Sequence, residues 1–123
     1  MAKNILIIDD SSSLRTLVKM SLERAGYGVM EAGDGVQALQ RLSTADKVHL
    51  IICDVNMPNM DGITFLGELK KNPRMKFTPV IMLTTEDAPA KMQAAKAAGA
   101  RAWLVKPFNP PTLIDTVQRV ILP

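Results

Sequence analysis

Five short apolar runs alternate with five segments of helical spacing, and this alternation constrains the fold more than any other feature of the chain. The first run, Ile5–Ile8, is continuous, as in a strand buried on both faces. Leu14, Leu17, Val18, Leu22 and Ala25 follow at helical intervals, with Ser residues before them as caps and Gly26 after them as a stop. Tyr27–Glu31 predicts a second strand, and Val36, Leu39 and Leu42 a second helix opened by Asp34. Leu50–Asp54 predicts a third strand. Ile63, Leu66 and Leu69 predict a third helix, capped by Asp61 and ended before Pro73. Val80–Thr84 is a fourth strand, and Pro89–Ala98 an Ala-rich helix with Pro in its first turn and Gly99 at its close. Ala102–Val105 is the fifth strand, and Leu113, Ile114, Val117, Val120 and Ile121 mark the last helix. Strands alternating with helices build βαβ units and a parallel sheet, and right-handed crossovers place helices on both faces. The expected fold is α/β: a doubly wound, five-stranded parallel sheet with five helices. The pattern does not fix the strand order.

The 123 residues suffice for one domain, 1–123, with a sizeable core. No run approaches the ~20 apolar residues of a membrane span. Lys3 is followed only by Ile5–Ile8 before Asp9 and Asp10, which is no secretory signal. The single cysteine, Cys53, excludes an internal disulfide and suits a reducing compartment, so a cytoplasmic protein is expected. The net charge is +3, but Lys and Arg are scattered and aromatic residues are few. That describes a solvated, mildly basic surface, with neither nucleic-acid binding nor membrane insertion expected.

Function in an open α/β sheet gathers beyond the carboxyl ends of the strands. Strand one ends in Asp9 and Asp10, strand three in Asp54, strand four in Thr84 and Thr85, and strand five in Lys106 and Pro107. Any one of these passes for a helix cap, a turn residue or surface punctuation. The set does not, because converging carboxylates are costly: two unit charges ~4 Å apart repel by about 4 kcal/mol at an effective dielectric near 20. A divalent cation is the natural offset. The donors are hard oxygens, and His49 and Cys53 form no cluster, so zinc is not expected. A calcium loop counted from Asp54 fails, with Pro58 fifth and Phe65 twelfth where Glu is required. Mg²⁺ fits best. A carboxylate beside Mg²⁺ and an ammonium is arranged to accept a phosphoryl group. Lys106 would neutralise one side of that group, and the Thr84 hydroxyl would donate to one of its oxygens.

The joint pattern IIDD at 7–10, DVNMPNMDG at 54–62, TT at 84–85 and KPF at 106–108 resembles the receiver domain of two-component response regulators. The likeness covers the whole chain and is greatest for single-domain chemotaxis receivers of the CheY type. It implies a flavodoxin-like strand order 2-1-3-4-5. It also implies phosphorylation of Asp54 by a sensor histidine kinase, with Mg²⁺ held by Asp9, Asp10, Asp54 and the backbone carbonyl of Asn56. Lys106, before a cis Pro107, would contact the phosphoryl group, and Thr84 would move toward it. Asn56 and Glu86 occupy the positions that tune self-dephosphorylation in this family. The only catalysis implied is the chain's own phosphorylation and dephosphorylation.

Trp103 stands where the family usually has a switching Tyr or Phe, and its larger indole lacks a hydroxyl, so a less complete rotation is expected. Thr85 is bulkier than the residue usual there and is expected to restrict access to Asp54. The chain ends at Pro123 without an output domain, so a monomer that signals through a protein contact is expected. That contact would use helix four, strand five and helix five, with Lys91, Lys96 and Trp103. Implied partners are a CheA-like kinase, a target such as a flagellar motor switch component, and a phosphatase. The competing readings are a phosphorelay intermediate, an interaction module that needs no phosphorylation, and a flavodoxin-like FMN protein with Ser11–Ser13 at the phosphate. A phosphatase with an Asp-x-Asp nucleophile after strand one fails, because the chain reads Asp9, Asp10, Ser11.

Overall fold

The computed structural model describes residues 3–45, 47–85 and 89–123. Its elements run β1 (Asn4–Ile8), α1 (Ser12–Arg24), β2 (Gly28–Ala32), α2 (Gly35–Thr44), β3 (Leu50–Asp54), α3 (Gly62–Lys70), β4 (Val80–Thr85), α4 (Pro89–Ala97), β5 (Ala102–Lys106) and α5 (Pro110–Val120). All strand pairs are parallel, and the sheet order is β2-β1-β3-β4-β5, as the resemblance implied. The chain leaves β1 toward one edge and returns to β3 on its other side. The reversal opens a crevice at the carboxyl ends of β1 and β3, where loops can hold a site.

Two cores sandwich the sheet. On one face Ile5, Ile7, Leu50, Ile52, Ile81 and Leu83 pack with Val18 and Leu22 of α1 and Leu113 and Val117 of α5. On the other, Leu6, Ile8, Ile51, Cys53, Val80 and Met82 pack with Ala38 and Leu42 of α2, Phe65, Leu66 and Leu69 of α3, and Ala95 of α4. Successive strand side chains point to opposite faces, so a run that is apolar at every position feeds both cores. Helix starts are fixed by side-chain caps: Ser11 accepts from the Leu14 N–H, Asp34 from Gln37, Asp61 from Thr64 and Asn109 from Thr112.

The elements depart from the sequence reading in a few places. β2 begins at Gly28 because the Tyr27 N–H is spent on the Leu22 carbonyl at 3.1 Å, closing α1; Gly26, at φ 95°, makes that turn. α5 starts at Pro110, set by the Asn109 cap, while Ile121 lies past its end. Leu17 and Val36, read as parts of apolar stripes, are 64% and 41% exposed. Leu14, Val18 and Leu22 follow an i+4 row onto the sheet, and Leu17 falls one step off it. No helix among the described residues is long and apolar enough to cross a membrane.

Candidate functional site

The carboxyl ends of β1, β3, β4 and β5 bring most of the expected residues together. Asp9 follows β1 and is fully buried. Its carboxylate accepts from the Ser11 N–H at 2.8 Å, and its carbonyl from the Arg15 guanidinium at 2.5 Å. Asp10, next along, is exposed. Asp54 closes β3 and is 5% exposed. Asp9, Asp10 and Asp54 each offer an oxygen within 4.8 Å of the others.

Lys106, at the end of β5, reaches past β4 to both buried carboxylates, with its ammonium 3.1 Å from Asp54 Oδ2 and 3.4 Å from Asp9 Oδ2. The other Asp54 oxygen accepts from the Asn56 N–H at 3.3 Å. The expected repulsion is therefore not left to a metal alone, because the protein supplies one cation of its own. Burial pushes the Asp54 carboxyl up, the Lys106 hydrogen bond draws it back, and the Asp9 charge pushes it up again; the net direction is upward. Burial pulls Lys106 down, but the hydrogen bond and charge of Asp54, with Asp9 behind it, hold the ammonium above its ordinary value.

Thr84, near the end of β4, is 2% exposed, and its hydroxyl oxygen has no hydrogen-bond partner among the described residues. An orphaned buried hydroxyl costs about 1–3 kcal/mol, so one near a strand end invites an incoming acceptor. The peptide bond between Lys106 and Pro107 is cis. Glu86 and the Thr85 side chain, given tuning and gating roles above, lie outside the described residues. Trp103 lies near the start of β5, half-buried, with the Lys96 ammonium 6.0 Å from its ring centroid.

The donor set suits a hard divalent cation. Three carboxylate oxygens lie within reach of one another, a water-facing side is left at Asp10, and among the described residues no sulfur or imidazole joins them. The residues present fit Mg²⁺.

The sequence reading missed two contacts and one backbone feature around the turn after β3. Lys91 of α4 donates to the side-chain oxygen of Asn56. Asp34, read only as a helix cap, also accepts from the Asn59 amide at 2.7 Å. Asn59 itself sits at φ 67°. Asn after Pro in a turn is a known route into that left-handed region, and it was the one signal available.

Comparisons with known proteins agree with this geometry. The family model of the response regulator receiver domain matches residues 5–118. The chemotaxis protein CheY1 of Helicobacter pylori is 37% identical over 118 residues, 95% of each chain. The chemotaxis response regulator CheY4 of Vibrio cholerae superposes with a TM-score of 0.91 at 48% identity, over 98% of this chain and 99% of that one. The receiver domain of the sensor histidine kinase PA1611 from Pseudomonas aeruginosa superposes at 0.89 with 26% identity, over 98% of both chains, and that structure has a magnesium ion coordinated in its active site cleft.

Proposed function

The chain belongs to the response regulator receiver domain family, and from that premise we propose that it is a CheY-like response regulator phosphorylated on Asp54. The observation that carries this reading is the buried Asp54 carboxylate, 3.1 Å from the Lys106 ammonium and within 4.8 Å of oxygens of Asp9 and Asp10. A buried carboxyl alone would drift toward its protonated, unreactive form; Lys106 keeps it a carboxylate. Lys106 and the Asn56 N–H each hold one of its oxygens, which fixes the orientation of the nucleophile.

An oxygen of Asp54 attacks phosphorus in line while the bond from phosphorus to the donor nitrogen breaks, and the donor imidazole leaves carrying a proton. When bound by Asp9, Asp10, Asp54 and the Asn56 carbonyl, Mg²⁺ would cancel charge on the phosphoryl oxygens. Lys106 pairs with another of those oxygens, and the Thr84 hydroxyl, without a partner among the described residues, gains an acceptor in the product. Thr84 is then drawn toward the acceptor, and Trp103 and α4 adjust to it. The α4–β5–α5 face, with Lys91, Lys96 and Trp103, is the proposed output surface.

The nearly full-length likeness to chemotaxis proteins supports a role in chemotaxis. A CheA-like sensor histidine kinase would be the donor and a flagellar motor switch component the target. The protein would meet such a kinase in the cytoplasm.

The test is intact mass after incubation with Mg²⁺ and acetyl phosphate, comparing the unsubstituted protein with Asp54→Ala. One added phosphoryl group is expected, lost in the variant and in the presence of chelator. An unmodified mass, also after incubation with phosphorylated kinases, would leave an interaction module that needs no phosphorylation.

A further inference from the structure

The turn between β3 and α3 carries the acceptor's immediate neighbours, and it is closed at its base by the Gly62 N–H donating to the Val55 carbonyl at 2.9 Å. At its tip, Pro58 and Asn59 are exposed and Met60 packs against the core. Two contacts with the start of α2 hold the tip. Asp34 divides its carboxylate: Oδ1 caps α2 by accepting from the Gln37 N–H at 2.8 Å, and Oδ2 accepts from Asn59 Nδ2 at 2.7 Å. Beside it, Met60 lies so close to Gly35 that a Cβ there would sit 2.9 Å from the Met60 Cγ and Sδ. Asp34 is 7% exposed while Asn59 stands at the surface, so the bond is partly covered, from the Asp34 side.

We propose that Asp34 and Asn59 form a clamp that positions the acceptor turn for metal binding, and that Asp34 is thus a positioning residue for phosphorylation of Asp54. The physical case has two parts. Asn59 adopts the left-handed backbone at φ 67°, which Asn enters more readily than other side chains but still at a cost relative to Gly, and the bond from its amide to Asp34 favours that shape. Asn56, whose N–H holds Asp54, lies three residues upstream on the same turn. Fixing the tip therefore fixes the main chain around Asn56 before any ligand arrives. Contacts that hold a ligand-bearing group without touching the metal commonly change metal affinity by about tenfold or more.

This inference rests on the proposed receiver chemistry, and two substitutions isolate the clamp from the fold. Asp34→Ser keeps one oxygen to cap α2 but has no second oxygen for Asn59. Asn59→Gly keeps the left-handed backbone at no steric cost but has no amide to donate. Calorimetric titration with Mg²⁺ should show affinity about tenfold weaker in both variants. Amide exchange of residues 56–61 in the metal-free proteins should accelerate in both, and amides of β1 and β3 should keep their protection. Unchanged Mg²⁺ affinity and unchanged exchange at 56–61, in variants that still take up phosphoryl like the parent, would overturn the clamp and leave the receiver chemistry standing. A parent protein that takes up neither metal nor phosphoryl would overturn both.

Discussion

α3 and α4 lie side by side on one face of the sheet, yet they are held very differently. α3 buries Gly62, Phe65, Leu66 and Leu69 and begins on the turn that follows Asp54. α4, rich in Ala, buries only Ala95 among its described residues, and beyond it Trp103 is half-covered beneath Lys96. Shallow cavities of about 330 and 130 Å³ flank the indole, the first toward α5 at Thr116 and Arg119, the second toward α4 at Met92 and Lys96. A close-packed helix holds chemistry in place, whereas one with little buried surface can shift at small cost. The contrast would divide the labour in the proposed function: the α3 side would keep the turn after Asp54 in place, and the α4 side would shift in response to phosphorylation.

The largest expected effect lies on the α3 side. Phe65→Ala should cost about 3–5 kcal/mol, measured by denaturant unfolding, because it empties the centre of a packed core. Next comes Gly62→Ala. The new Cβ would press on the Asp54 carbonyl and sit 2.8 Å from the Met82 methyl, so a loss of about 1–3 kcal/mol should accompany weakened Mg²⁺ binding. If both prove as mild as changes in α4, the contrast between the two helices is wrong.

The carboxylates sharpen the comparison with an opposite sign. Asp54 binds its proton more tightly in the folded protein than at the ordinary value of 3.8. Between 3.8 and that raised value the native state carries the extra proton, so its contribution to stability declines as pH rises. At neutral pH the ionised group is a cost. Asp54→Asn should therefore raise the melting temperature of metal-free protein at pH 7 by roughly 3–5 °C, about 1 kcal/mol, and the gain should vanish near pH 3. A lower melting temperature at pH 7 would mean that Lys106 already offsets the burial and repulsion in full.

On the α4 side the numbers should be small. Ala95→Gly should cost about 1 kcal/mol, chiefly from helix propensity. Lys96→Gln should cost about 0.5 kcal/mol while shifting the fluorescence of Trp103, the only Trp in the chain. A cost of several kcal/mol at Lys96 would show that the indole is anchored and not poised.

How much was legible in advance followed from how local each signal is. The strands and helices could be read because each is written in a short window, as apolar runs, helical spacing and capping residues such as Asp61 and Ser11. The convergence of Asp9, Asp10, Asp54, Thr84 and Lys106 could be read because parallel strands must place their carboxyl ends on one edge. The exposure of Leu17 could not, since periodicity alone does not say which of two adjacent rows meets the sheet. Nor could the second role of Asp34, because its partner Asn59 is 25 residues away and capping α2 already explained it.

The sequence by itself determined the five βα units, the edge on which the chemistry-bearing side chains leave, and the hard-oxygen character of the donors, since these depend on residue type and short-range order. Only the tertiary structure decided that Lys106 bridges two carboxylates across β4, that the Thr84 hydroxyl has no partner among the described residues, and that Asp34 at the start of α2 holds Asn59 in the turn after β3. Each of these depends on distances between segments far apart in the chain. Such distances are set by how the helices pack on the twisted sheet, a property that no single stretch of sequence contains.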